Sequence, residues 1–356
     1  MSTEIYTGRH KLSDQIAELS EQVSLELDNA VSNIEDIDSR TRIVSLNAKI
    51  EATRAGEVGR AFSIVADEIE RLSKNTANIA IKMKKNTQQP INKLLEISKQ
   101  LKTNVVGTRL SDLALVNIEL VDRNLYERSC DVRWWATDDS LTKALELNTP
   151  DALRYASKRL GIILNSYTVY YDLVLCDLEG NVVANGRPAT YISLGMNQRN
   201  EEWFKSAMET RNGDEYGFQS AHISDLVNGQ HALVYSCCVR KNGEVNGAPI
   251  GVLGIVFNWT ELSQNIVKNT PIDDSQWPTT RVCLFTEEGF ILADSRDRQL
   301  TEHLEFSYKT REHIFSRNRG YCIDKYEGKE SLFAYAYSPG YETYSTGWYS
   351  VIIQEL

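Results

Sequence analysis

The chain has 356 residues, 42% hydrophobic and 25% charged, with a net charge of −10 and a pI near 5.2. That composition leaves room for about two or three globular domains, and its acidity argues against non-specific nucleic-acid binding. No apolar run approaches the roughly 18–20 residues that span a bilayer, and the N-terminus "MSTEIYTGRHKLSDQ" lacks the apolar core of a leader. The expected location is therefore the cytoplasm, without direct membrane insertion.

The first elements are helical. Ile16, Leu19, Val23, Leu27, Ala30, Ile34, Ile37, Thr41 and Val44 recur every three or four residues. So do Phe62, Val65, Ile69, Leu72, Thr76, Ile79 and Met83. This spacing predicts two helices packed along a long seam. Between them lies "RAGEVGR", where Gly56 and Gly59 mark a reversal. Pro90 predicts a kink or break in the second arm. Helical patterning resumes at Ile91 and runs to about residue 165, with interruptions expected near Gly107 and in "WWATDDS".

Strand-like runs follow: "YDLVLCD", "HALVYSCCVR", "IGVLGIVFNW", "TRVCLFT", "ESLFAYAYS" and "GWYSVIIQEL". They repeat. "VLCDLEGNVVAN" (174–185) aligns with "CLFTEEGFILAD" (283–294), "GQHALVYS" with "GKESLFAY", and "GVLGIVF" with "GWYSVII", in the same order. Two tandem sheet modules are expected, the first with a longer insert holding "NQRNEEWFKSAM". The six cysteines show no CxxC or metal-ligand spacing and read as free thiols in or near cores. No phosphate-cradling loop, metal cluster or nucleophile elbow stands out. No catalytic residue, cofactor or metal is therefore expected, and the chain reads as a non-enzyme.

One stretch breaks the seam pattern. Asn47, Glu51 and Arg54 fall at i, i+4 and i+7 on one helix face, beside Ala48, Ala52 and Ala55. A solvated face at a hairpin tip would carry such residues, and so would a contact surface for other chains. "SLNAKIEATRAGEVGRAFSIVADEIERLS" resembles the signalling hairpin tip of methyl-accepting chemotaxis receptors. That resemblance implies a coiled-coil hairpin that pairs into a four-helix bundle as a homodimer. It also implies a tip that engages a histidine kinase, its coupling adaptor and other chemoreceptors. Asn47, Glu51, Arg54 and Glu57 would form the polar contact surface, and Ile43 and Val44 its apolar part. Ser39, Arg42 and Lys49 depart from the family pattern, which has an apolar residue, an amide and a small residue there.

The remainder resembles a double Cache domain, in which two PAS-like antiparallel sheets follow a long helix. That implies a small-molecule ligand in the first module, with Trp203, Phe204 and Tyr216 as aromatic walls. Arg199, His222 and Asp225 would be its polar contacts. The expected class is α+β. The expected division is a signalling hairpin (1–100), a connecting and sensor helix (101–165), a ligand-binding module (166–262) and a second module (263–356). The expected function is a transducer that senses a small molecule and is recruited to receptor arrays. The alternative is a scaffold or ligand-binding protein that uses the hairpin only to dimerise and dock.

Overall fold

In the computed structural model the backbone is described from Ser2 to Leu356 and side chains from Asp14 onward. The residues read above for a leader mostly lie outside the described side chains. The chain divides into two compact units, Met1–Val106 and Gly107–Leu356.

The first unit is an antiparallel hairpin. Helix α1 (Ser2–Arg54) leads through a 3-10 turn at Gly56–Gly59 into helix α2, which starts at Arg60 and runs to Trp135. Gly56 adopts φ +63, a conformation that costs a residue without Cβ little. The reversal falls where the glycines predict it. The seam follows the predicted apolar stripe only in part: Leu27 is buried with Ile34 packed against it, but most of the other large residues of the stripe are not. Buried positions recur at strict heptad spacing through Ser45, Ala52, Gly59, Ala66, Ser73 and Ala80. Ile91 and Ser98 continue the contact, while Leu27, Val31 and Ala80 form a small apolar cluster.

Small side chains bring the arms close together. A Cβ on Gly59 would lie 2.1 Å from the Ala52 carbonyl oxygen. Much of the larger apolar stripe is left facing outward: Val44, Phe62, Leu72 and Ile79 are 63%, 73%, 65% and 65% exposed.

The expected break at Pro90 is absent. Helix α2 is continuous across Pro90, because one missing N–H is outweighed by seam contacts at Ala80 before it and Ile91 after it. Gly107 does not interrupt the helix either. A Cβ there would lie 2.4 Å from the Tyr321 ring, so this glycine admits a crossing aromatic. The break in "WWATDDS" is present, since α2 ends at Trp135 and α3 (Asp139–Leu147) begins under an Asp138 cap.

The second unit is built on the end of α2, α3 and α4 (Pro150–Asn165). Along α2, Leu110, Ala114, Ile118, Val121, Leu125 and Val132 are essentially inaccessible, a helical stripe that faces a core. The first sheet contains β1 (Tyr170–Cys176), β2 (Val182–Asn185), β3 (Gly217–Ser224), β4 (Gln230–Arg240) and β5 (Pro249–Asn258). Helix α5 (Glu202–Met208) lies in its insert, and α6 (Trp259–Lys268) leads onward. The second sheet contains β6 (Thr280–Phe285), β7 (Ile291–Asp294), β8 (Arg319–Tyr326), β9 (Lys329–Tyr337) and β10 (Tyr349–Glu355), with α7 (Tyr308–Phe315) in its insert.

Both sheets are antiparallel and share one topology, β2-β1-β5-β4-β3 and β7-β6-β10-β9-β8. The repeat extends to the register. Val174 pairs with Asn185 as Cys283 pairs with Asp294, and each hairpin bulges one step later. Strands β3 and β8 went unread in the sequence. Their residues are mostly half-buried edge positions, without the continuous apolar run that marks a central strand.

Equivalent positions carry different chemistry. In the first module Asn185 donates to buried Asp172 at 2.8 Å. Burial pushes that carboxyl above its usual range. In the second, Arg281 grips Asp294 through two hydrogen bonds of 3.1 and 2.6 Å. Burial acts on Asp294 in the same direction, but the Arg281 bonds and charge outweigh it and hold the carboxyl down.

All six cysteines are free thiols. Cys237 and Cys238 are both buried on β4, and burial holds the Cys237 thiol up at about 12. Such thiols stay protonated and inert at neutral pH.

Candidate functional site: the hairpin tip and a cleft in the second unit

At the tip, α1 presents Asn47, Glu51 and Arg54 outward, and Glu57 extends the surface from the turn. Glu51 and Arg54 pair at 2.8 Å along the helix. Ile43 and Val44 are 58% and 63% exposed, and Val58 reaches 87%. The polar residues singled out at the start therefore lie outside the seam. The seam itself is made by Ala52, Gly59 and Ser45, whose hydroxyl donates to the Ala66 carbonyl at 2.7 Å.

Lys49 does what its family position did not suggest. It crosses to the other arm and meets Asp67 and Glu70, each at 2.5 Å. Hydrogen bonding to Lys49 and Lys74 lowers Glu70 to about 2, and hydrogen bonds to Asp67 and Glu70 raise Lys49 above its ordinary value. The arms are tied together just below the presented surface.

In the second unit a cavity of about 460 Å³ opens between α2, the end of α5 and the loop preceding β10. Its walls include Ser129, Arg133, Glu209, Thr210, Tyr216 and Tyr344. The Arg133 guanidinium lies 5.8 Å from the Tyr216 ring centre and donates to the carbonyls of Ser129 at 2.8 Å and Asp214 at 3.1 Å. Behind it the hydroxyls of Tyr235 and Tyr344 are 2.6 Å apart and buried, joining the two sheet modules.

Asp122 of α2 anchors the loop that carries Tyr344. Its buried carboxylate accepts from the Ser338 and Thr346 hydroxyls and from the N–H groups of Gly340 and Thr346, at 2.7 to 3.1 Å. No local pattern announces this clamp, because its partners lie more than 200 residues further along the chain.

Of the six residues expected at a ligand site, Tyr216 alone lines this cavity. Trp203 and Phe204 are corrected from walls to core. They are 1% and 3% exposed and pack with Val174, Val234 and Val256. Trp203 lies so flat against β5 that a Cβ on Gly254 would come within 3.0 Å of its ring. Arg199 is exposed, its N–H donating to Asn197 at 3.1 Å. His222 places Nδ1 2.8 Å from the Ser220 carbonyl, and Asp225 is exposed in the 3-10 turn after β3. Arg133 and Tyr344, which do line the cavity, were missed because each belongs to another element of the fold.

Residues 6–115 match the family model of the methyl-accepting chemotaxis protein (MCP) signalling domain. The hairpin is similar to the signalling domain of that family over nearly its whole described length. Among relatives, AlkN of Alcanivorax borkumensis, a putative methyl-accepting chemotaxis protein, is 35% identical over 201 residues. That match covers 53% of this chain and 26% of AlkN. PilJ of Pseudomonas aeruginosa is 33% identical over 127 residues, covering 33% of this chain and 19% of PilJ. The chain thus spans about a quarter or less of the length of these relatives.

Beyond the signalling domain the likeness is one of fold. The ligand-binding domain of the Campylobacter jejuni chemoreceptor Tlp3 superposes with TM-score 0.52 at 17% identity, covering 70% of this chain and 90% of that domain. The sensor domain of the Vibrio cholerae histidine kinase DctB gives 0.53 at 11%, covering 72% and 98%. The chain thus joins a hairpin matched by the chemotaxis signalling-domain model to a unit that shares its fold with a chemoreceptor ligand-binding domain.

The cytoplasmic assignment does not stand. Among the described residues no helix is long and apolar enough to cross a membrane. The second unit nevertheless shares its fold with a chemoreceptor ligand-binding domain and a kinase sensor domain. Lack of a spanning helix therefore assigns no compartment.

Proposed function

We propose that the chain acts as a homodimer whose hairpin tip controls a chemotaxis histidine kinase through its coupling adaptor, in response to a small molecule held by the sensor unit. The observation that carries this reading is α2. This one helix supplies the seam residues Ala66, Ser73 and Ala80 of the hairpin, and Asp122 and Arg133 of the sensor unit. A ligand that binds one packing of the sensor better than another shifts the equilibrium by that difference in affinity, and a small helix displacement is a suitable carrier.

The outward apolar stripe supports the homodimer. Covering a Val, Leu, Ile or Phe side chain is worth about 1.5–3 kcal/mol, and a second hairpin offers a matching stripe. In this reading residues 101–165 connect the parts, 166–262 supply most of the ligand's contacts, and Arg133 and Tyr344 close the cavity from α2 and from the module of residues 263–356.

The test is kinase autophosphorylation in a mixture of adaptor, kinase and this protein, with and without metabolite. The expected result is a change in phosphorylation that is lost in the Glu51→Ala, Arg54→Ala double variant. Exposure of Ser39 and Arg42 on the same hairpin, in place of the family's apolar and amide residues, favours the second reading, docking without control. Binding of adaptor with phosphorylation unchanged would select it.

A further inference from the structure

A second cavity, of about 590 Å³, lies where α4 meets the end of β2 and shares no residue with the cavity at Arg133. Its charged walls are Arg154, Lys158 and Arg187, and its apolar walls are Ile162, Pro188 and Leu194. The cavity exists because its floor is bare backbone. A Cβ on Gly161 would lie 2.9 Å from the Gly186 carbonyl, and one on Gly186 would lie 2.4 Å from a Leu164 methyl. Helix and strand end therefore approach main chain to main chain at Gly161, with the Leu164 side chain packed against Gly186.

The sign of the charge is informative. In a chain with 49 acidic and 39 basic residues, the cavity has three cationic walls and no carboxylate. The Arg187 guanidinium is held by the carbonyls of Tyr170, Tyr171 and Leu164, at 2.9, 2.8 and 3.3 Å. These bonds fix its position without cancelling its charge. Among the described residues neither Arg187 nor Lys158 has a carboxylate at ion-pair distance, whereas Arg154 pairs with Asp151 at the surface. Ile162 and Leu194 remain 45% and 50% exposed beside these cations.

We infer that this cavity binds an amphiphilic anion, with one acidic head on Lys158 and Arg187 and an alkyl tail along Ile162, Pro188 and Leu194. A carboxylate head meets fixed cationic donors there, and the tail covers apolar surface that the fold leaves wet. The volume is that of a small-molecule site. The inference is independent of kinase coupling.

The test is calorimetric titration of the full chain with decanoate, acetate and decyltrimethylammonium, with sedimentation on phosphatidylglycerol vesicles as a second arm. The expected result is one saturable decanoate site, with acetate and the cationic amphiphile at least tenfold weaker. Lys158→Glu and Leu194→Asp, both at exposed positions, each weaken decanoate at least tenfold while the thermal transition stays in place. Vesicle capture that is lost in the same variants, without decanoate binding, would keep the site and assign its anion to a bilayer lipid. Absence of binding in both arms, or binding indifferent to both substitutions, overturns the inference.

Discussion

Asp122 gives the sharpest energetic test of how the second unit is held on its helix. Replacing it with Ala removes the acceptor for two hydroxyls and for the N–H groups of Gly340 and Thr346. The hydroxyls can turn to other partners, but the two N–H groups are fixed by the loop. Each orphaned donor costs about 1–3 kcal/mol, so Asp122→Ala should cost about 4 kcal/mol. Asn in its place keeps one acceptor oxygen and points its amide at the other N–H, at a cost of about 2 kcal/mol.

For a unit of this size each kcal/mol lowers the melting temperature by about 2–4 °C. The expected shifts are then roughly 8–16 °C for Ala and 4–8 °C for Asn. All six tryptophans lie between Trp134 and Trp348, so tryptophan fluorescence reports the second unit without the hairpin. A shift below about 2 °C for Asp122→Ala would refute the clamp, as would equal effects of Ala and Asn.

Gly59→Ala should force the hairpin arms apart, since the new methyl would meet the Ala52 backbone. A cost of about 1–3 kcal/mol should appear as loss of helical ellipticity on heating, with the tryptophan transition unmoved. Trp203→Ala should lower the tryptophan transition by the equivalent of about 3–5 kcal/mol, because Trp203 is core. Tyr216→Ala is the variant that should abolish ligand-induced stabilisation while leaving the basal transition nearly in place.

The Lys49 link has a defined pH window. Glu70, depressed to about 2, contributes its stabilisation fully above the ordinary carboxylate range near 4.5, and loses it as pH falls through the folded value. Lys49, raised from 10.5, contributes below that pH and loses its share as pH rises through the raised value. Helicity followed from pH 5 to pH 2, an interval of about three units around these values, should fall less in Lys49→Met than in the parent chain.

Local chemistry on short stretches was legible in the sequence. "RAGEVGR" marked the reversal because Gly56 needs φ +63. The β-branched and aromatic runs marked most strands, and the tandem repeat was readable because equivalent strands in the two sheets carry similar patterns. Heptad spacing announced a long helical pair, but not which face would be its seam. Large apolar residues drew the prediction to Val44, Leu72 and Ile79, while close approach was won by Ser45, Ala52, Gly59 and Ala66. Periodicity counts hydrophobicity, whereas two helices alone pack most closely where side chains are smallest.

The cleft at Arg133 was less legible still. Trp203 looked like a wall because aromatic residues serve equally as core and as ligand surface, and only the sheet beneath it settles which. Arg133, Asp122 and Tyr344 carry no local signature. They meet because a helix and a loop more than 200 residues apart share one buried carboxylate, and that contact is decided by the tertiary fold.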